Sequence, residues 1–135
     1  MTEENQKTFK LYDFMNDERF KQMDSAVEYV DYFMTVKQDI LVDLEGIELA
    51  IANTKLHLDL IKADTLLNTD FKGLYGKDNE GIRKTHFQKE NEELLWVLKD
   101  YQITKSKCLS QLEILDDMIN ANLVLMGENT CKCGD

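Results

Sequence analysis

The chain has 135 residues, 43% of them apolar, and carries 26 acidic against 16 basic side chains, a net charge of −10. This length fits a single domain, and the apolar content excludes a disordered acidic tail. The charge balance also argues against direct nucleic-acid binding, because phosphate backbones are bound by clustered cations.

The N-terminal residues, Met1 to Asn5, have neither the basic start of a signal peptide nor an apolar run behind them. The longest apolar runs, 94–98 and 123–126, are far shorter than the ~20 residues that a membrane span requires. Three cysteines are too few for a secreted disulfide scaffold. We therefore expect a cytoplasmic protein with no membrane partner.

The first 23 residues predict a short helix, because bulky side chains recur at helical spacing. Such a helix would shield one end of the structure that follows. The bulky residues are Phe9, Tyr12, Phe20 and Met23, with Leu11, Phe14 and Met15 beside them.

Residues 24–126 predict two long helices and one turn. Ser25 and Glu28 form a capping box at the start of a helix over 25–67. Three glycines among turn-forming residues mark a turn over 68–81. A second helix is predicted over 82–126, followed by a flexible cysteine-containing tail over 127–135. The absence of proline is typical of such helices, because proline interrupts them.

Each predicted helix carries a heptad seam in which eight of ten positions are apolar. The first seam comprises Val30, Phe33, Lys37, Ile40, Leu44, Ile47, Ile51, Thr54, Leu58 and Ile61. The second comprises Phe87, Asn91, Leu94, Leu98, Tyr101, Lys105, Cys108, Leu112, Leu115 and Ile119. Spacing near 3.5 residues predicts that each stripe packs on another helix. The fold class is therefore all-α, a long antiparallel two-helix coiled-coil hairpin with a short N-terminal helix.

Pairing the seams through the turn places Ile61 near Phe87 and Ile40 near Cys108. In this register Lys105 falls beside Asp43. Either Lys105 neutralises Asp43 at the edge of the seam, or the lysine extends its amine into solvent.

A second apolar stripe lies on the opposite side of the first helix, and the second helix adds a tryptophan outside its seam. A two-helix hairpin cannot bury both sides, and exposed apolar patches of this extent are unusual in monomers. The stripe therefore predicts self-association into a helical bundle, as a homodimer or higher oligomer. The predicted interface comprises Val42, Leu49, Leu56, Leu60, Leu67 and Trp96.

An acidic face follows the first half of the first helix, where residues 24–48 have a local charge of −6. Either this face imitates a phosphate backbone and fills a basic groove on a nucleic-acid enzyme, or it keeps the protein in solution. The predicted partner-binding residues are Glu28, Asp31, Asp39, Asp43, Glu45 and Glu48.

The carboxylate pairs Glu90/Glu93 and Glu113/Asp116 superficially resemble the metal motif of all-α nucleotide pyrophosphohydrolases. One Mg²⁺ needs both pairs together, yet an unbroken helix would separate them by ~35 Å. We therefore expect no enzyme, no catalytic residues and no cofactor.

Two histidines and two cysteines are further candidate metal ligands. His57 and His86 lie near each other in the hairpin register, where a shared site competes with two ordinary surface imidazoles. Cys131 and Cys133 are weak metal candidates in the tail, since a structural zinc site takes four ligands and these make two.

The turn and the second helix form a recognisable pattern across residues 55–126. It consists of Lys62-Ala63-Asp64, Asn68-Thr69-Asp70-Phe71-Lys72, Gly76-Lys77-Asp78-Asn79-Glu80, Arg83-Lys84 and Leu112-Glu113-Ile114-Leu115-Asp116-Asp117-Met118-Ile119. It resembles small uncharacterised helical-hairpin proteins of bacteriophages, prophages and archaeal viruses. The resemblance implies a viral accessory role near replication, recombination or host defence, with no catalytic residues to transfer.

These patterns predict a non-enzymatic, oligomeric interaction protein of viral or prophage origin, whose partners are itself and a host or viral protein. Its functional surface is either the acidic face or the turn surface of Asp70, Phe71 and Tyr75. One alternative is an acidic inhibitor of a host nuclease or defence complex. Another is an accessory nucleic-acid-binding factor in phage replication or recombination, which would use Arg83, Lys84, Lys89, Lys105 and Lys107.

Overall fold

A computed structural model describes residues 12–13 and 16–134 of the chain, with side chains through Gly127. Its elements are α1 (Glu18–Lys21), α2 (Ala26–Asn68), α3 (Phe71–Tyr75), α4 (Glu80–Glu90) and α5 (Glu92–Gly134). The predicted all-α class is confirmed, with two long helices, α2 and α5, and no strand among these residues. None of the described helices is both long enough and apolar enough to cross a bilayer.

Helix α2 begins at the predicted capping box. Ser25 Oγ accepts a hydrogen bond from the Glu28 amide at 3.3 Å. The Glu28 carboxylate reaches back to the amide of Asp24 at 3.3 Å, one residue before the expected partner. These bonds satisfy amides that the first helical turn leaves without partners.

The predicted turn over 68–81 contains the one-turn helix α3. Asp70 caps this helix by accepting from the Gly73 amide at 3.0 Å. Gly76 ends it in the left-handed conformation, with φ of 78°, where a side chain is sterically disfavoured. Asn79 then caps α4 through the Ile82 amide at 2.9 Å.

The prediction of one uninterrupted helix over 82–126 is wrong at both ends and at one internal position. The helical segment starts at Glu80, breaks at Asn91 and continues to Gly134. At the break, Asn91 directs its backbone and side-chain N–H groups to the Phe87 carbonyl, at 3.1 and 2.9 Å. Gly127 does not end the helix, because a glycine lowers helix stability by only about 1 kcal/mol. The predicted tail over 127–135 is therefore helical through Gly134.

The predicted seams agree with the observed burial. Every seam position on α2 and on α4–α5 is buried or half-buried, including the polar members Lys37, Thr54, Asn91 and Lys105. The 3.5-residue period therefore identified the packed side of each helix correctly.

The chain forms two compact units, and both long helices contribute to each of them. The first contains the described residues up to Ile47 and those from Thr104 onward, and the second contains Glu48–Ile103. The core of the first unit is the larger, and comprises Met23, Tyr32, Phe33, Val36, Ile40, Leu44, Ile47, Cys108, Leu115 and Ile119. The buried side chains of the second are Ile51, Leu58 and Phe71.

An ion pair joins α2 to α5 within the first unit. Lys37 Nζ lies 2.6 Å from Asp116 Oδ1, whereas the predicted register places Lys37 opposite Gln111. Gln111 instead donates to the Tyr12 carbonyl at 3.0 Å. The pairing of Asp43 with Lys105 stays a prediction.

An aromatic cluster fixes the start of α2 in the first unit. The Phe20 ring lies 5.7, 5.9 and 6.1 Å from those of Tyr29, Tyr32 and Phe33. Tyr12 donates its hydroxyl proton to Asp17, and this bond lowers the pKa of the Asp17 carboxyl. Within the first 23 residues the structure describes the four-residue helix α1, and the predicted helical residues Phe9, Leu11, Phe14 and Met15 lie outside the described residues.

Replacing Gly76 and Gly127 with alanine should change the stability of the protein in opposite directions. Gly76→Ala should destabilise the protein by about 1–2 kcal/mol, because its left-handed backbone brings Cβ too close to a carbonyl oxygen. Gly127→Ala should stabilise it by up to about 1 kcal/mol, because this helical glycine has open space around it. Urea unfolding followed by circular dichroism measures both changes, and equal effects of the two substitutions would contradict the turn geometry.

The tyrosines of the aromatic cluster predict a loss of stability in alkali. Burial raises the pKa of Tyr32, and the hydrogen bond with Tyr12 raises it further. The native state therefore keeps a proton that the unfolded chain loses, so stability is complete below about pH 10 and falls above it. In urea titrations at about pH 9 and about pH 11, Tyr32→Phe should lose less stability than the wild type over this interval. An equal loss in both proteins would contradict the assignment.

Candidate interaction surfaces

The six residues predicted as an oligomer interface are all exposed on the single chain. Their exposed fractions run from 59% at Leu56 to 84% at Leu67, with Trp96 at 62%. On α2 they lie opposite the seam, because Leu49 and Leu56 follow the buried Ile47 and Ile51 at helical angles near 180°. The apolar side chains of α2 therefore occupy two sides of one helix, and in the described part of the chain the seam side is the one that is buried.

Trp96 lies in a shallow groove of the second unit, next to the helix break at Asn91. The groove is lined by Thr85, Gln88, Lys89, Glu92, Leu95, Trp96 and Lys99. Tryptophan is enriched at the centres of protein contact surfaces, whereas lysine is depleted there, so Trp96 is the residue of this groove that favours a contact.

The acidic residues predicted to bind a partner are also all exposed. Glu28, Asp31, Asp39, Asp43 and Glu45 belong to the first unit, and Glu48 belongs to the second. Arg19 contacts Asp31 at 2.6 Å. Lys37, the cation within this stretch, is held by Asp116 from α5. Because Lys37 pairs with Asp116, its positive charge neutralises less of the negative charge of the acidic side chains on α2.

The three residues of the predicted turn surface have different environments. Asp70 is the N-cap of α3, and Phe71 is buried. Tyr75 is exposed, and its hydroxyl lies 2.6 Å from Nδ1 of His86. The Phe71 ring meets the same imidazole edge-on, with centroids 5.3 Å apart. Asp70 and Phe71 therefore stabilise the turn, and Tyr75 presents its ring to solvent.

The turn accounts for His86, which the sequence placed beside His57. His86 is half-buried against Phe71 and Tyr75, whereas His57 is exposed. Tyr75 and His86 are eleven residues apart but lie on different helices, α3 and α4, with a turn between them. The periodicity of a single helix therefore does not relate their positions. Sequence reasoning therefore had no signal for this contact.

The acidic residues considered as metal ligands do not form a cluster in the described part of the chain. Within the described side chains, no group of three or more histidine, cysteine, aspartate or glutamate residues is placed to hold a metal ion. Glu93 and Glu113 belong to the single helix α5, and Asp116 pairs with Lys37. The side chains of Cys131 and Cys133 lie outside the described part of the chain.

Cys108 is the third cysteine, and it belongs to the core of the first unit. Burial raises the pKa of its thiol, and the nearby Asp43 carboxylate raises it further. A neutral, enclosed thiol is a poor nucleophile and a poor metal ligand. Cys108 therefore acts as a packing residue.

Arg83, one of the basic residues considered for nucleic-acid binding, forms an ion pair within the chain. Arg83 makes a bidentate contact with Asp78, with Nε and a terminal nitrogen 2.7 and 2.9 Å from the carboxylate oxygens. This guanidinium lowers the pKa of the Asp78 carboxyl. The contact links the turn to the first turns of α4.

Comparison with known proteins gives no relative for this chain. No family model, no curated protein and no solved structure matches it.

Proposed function

We propose that the protein is a non-enzymatic helical interaction protein that acts as an oligomer. The observation that carries this proposal is the exposure of the apolar residues on the outer side of α2, between 59% and 84% for Val42, Leu49, Leu56, Leu60 and Leu67. Contiguous apolar surface of this kind is characteristic of protein contact sites. Trp96 adds a second exposed apolar group of the type that dominates contact energies.

The proposed protomer is an antiparallel coiled-coil hairpin of α2 with α4–α5. Burial of both heptad seams supports it, as does the ion pair between Lys37 and Asp116. Each helix of a hairpin buries one side against the other, so the outer side of α2 needs a further helix to cover it. A second copy supplies such a helix without any other partner.

The resemblance of residues 55–126 to helical-hairpin proteins of phages, prophages and archaeal viruses supports an accessory role encoded by a virus or prophage. In this proposal the oligomer acts in the host cytoplasm and also contacts a host or viral protein. Tyr75 and the neighbouring Leu74 offer exposed side chains at the turn for that contact.

Static light scattering tests the oligomer directly. The wild type should have at least twice the protomer mass of 15.7 kDa at micromolar concentration. Leu60→Lys with Leu67→Lys should return it to the protomer mass, because two charges cannot be buried without partners.

Leu74→Lys serves as the matched control, since Leu74 is equally exposed but lies on α3. It should leave the assembly mass unchanged, and circular dichroism should show that every variant remains helical. A wild-type chain that stays at the protomer mass up to about 100 μM would contradict the proposal.

An acidic inhibitor that occupies the basic groove of a nucleic-acid enzyme is a second candidate function. The exposure of Asp39, Asp43 and Glu45 favours it, together with the engagement of Lys37 by Asp116. Several surface carboxylates close together create a negative electrostatic potential, which attracts a positively charged groove on another protein.

Salt dependence tests this second function. A nuclease retained from bacterial lysate by the wild type at about 50 mM salt should be released at about 500 mM, where charges are screened within ~5 Å. Asp39→Asn, Asp43→Asn and Glu45→Gln together should abolish retention. Retention that survives both the salt and the neutral variant would contradict acidic mimicry.

A further inference from the structure

The outer side of α2 within the second unit forms a regular face, which we call the dimer face. Its centre consists of Leu49, Ala52, Leu56, Leu60 and Ala63, all exposed. The steps between them are three or four residues, so they form one stripe about 21 Å long. Such a stripe is long enough to pack along another helix over several turns.

The side-chain sizes on this face are symmetric about Leu56 in a particular way. Ala52 lies four residues before Leu56, and Leu60 lies four residues after it. Leu49 lies seven residues before, and Ala63 lies seven after. Leu49 and Leu60 therefore each have an alanine at the mirrored position, and Leu56 meets its own copy. An identical helix placed antiparallel across Leu56 would thus set large side chains against small ones on both sides of the centre. Layers of this kind fill the space between two helices without voids.

The charges along one edge of the dimer face have the same centre. Glu48, Lys55, Asp59 and Lys62 are exposed and alternate in sign along this edge. Lys55 and Asp59 are centred on position 57, and Glu48 and Lys62 on position 55, so the two pairs bracket Leu56. An antiparallel copy therefore brings Lys55 towards Asp59 and Glu48 towards Lys62, each contact occurring twice.

A parallel arrangement loses this complementarity. There the charged edge of one helix meets the other edge of its neighbour, which carries Asn53, His57 and Asp64. Asp59 would then face Asp64 of the second copy, because parallel helices pair edge residues five positions apart. Like charges in contact destabilise such a pair.

We propose that a second copy of this chain docks antiparallel on the dimer face, with a two-fold axis through Leu56. This inference rests on the self-association proposed above and adds its surface, orientation and register. The two-fold axis makes the contact closed, because the same face is used by both copies. The fit of residue sizes and the fit of charges are separate observations. The sizes are centred on Leu56, and the two charge pairs are centred one residue to either side of it.

A charge exchange tests the register. Lys55→Glu and Asp59→Lys should each raise the dissociation constant of the dimer about tenfold, since each converts two attractive contacts into repulsive ones. The double variant should return to within about threefold of the wild type, because the exchange restores opposite charges. Lys77→Glu, at an exposed position in the turn, is the matched control and should have no effect.

Cross-linking tests the orientation independently. Dimers mixed from ¹⁴N- and ¹⁵N-labelled chains are treated with a carbodiimide, which joins lysines to carboxylates in direct contact. Mixed-isotope peptides joining Lys55 to Asp59 and Lys62 to Glu48 are expected. The isotope mixture separates these products from links within one helix.

The outcomes distinguish this inference from the function on which it rests. A chain that is monomeric by sedimentation overturns both. A dimer whose dissociation constant is unchanged by Lys55→Glu and by Asp59→Lys overturns the dimer face alone and leaves self-association standing. Mixed-isotope cross-links from Lys55 or Lys62 to Asp64 on the opposite edge, or a double variant as weak as the single ones, also overturn the dimer face.

Discussion

The structure depends on one constraint, that α2 is apolar on two opposite sides while the described residues bury only one of them. Ile47, Ile51 and Leu58 on the seam side are buried, and Leu49 and Leu56 on the other side are exposed. Packing of the seam is what holds the two long helices together. The outer side remains largely exposed in a single chain, and covering it would be favourable because that would exclude water from apolar surface.

The remaining features of the chain stabilise helix ends and connections. Asp17, Ser25, Asp70 and Asn79 each accept a backbone hydrogen bond at the start of a helix. The aromatic cluster around Phe20 and Tyr32 closes one end of the first unit, and the contacts of His86 with Phe71 and Tyr75 brace the turn. These side chains serve local structure. Among the described residues, the outer side of α2, the Trp96 groove, the acidic side chains and the turn residues Leu74 and Tyr75 remain exposed.

Periodicity predicted the long helices and their packed sides, because a seam sustained over many turns has few other solutions. It did not predict the break at Asn91, since a single polar residue in an apolar seam is tolerated in continuous helices. Helix α3 was missed because five residues are too few to show a period. The hydrogen bond between the hydroxyls of Tyr12 and Tyr32, 3.2 Å long, joins residues in separate elements, and no pattern in the sequence signals it. The same helical period identified the exposed stripe on α2, but the period does not show which helix covers that stripe.

Solvent accessibility of the leucine methyl groups tests the central claim most directly. A soluble paramagnetic chelate accelerates the relaxation of methyl groups that it can approach, so each leucine reports on its own surroundings. At high protein concentration, Leu56 and Leu60 should be as protected from the chelate as the buried Leu58. They should become accessible when the protein is diluted, whereas Leu74 should be accessible at every concentration. Leu56 and Leu60 as accessible as Leu74 at every concentration would contradict it.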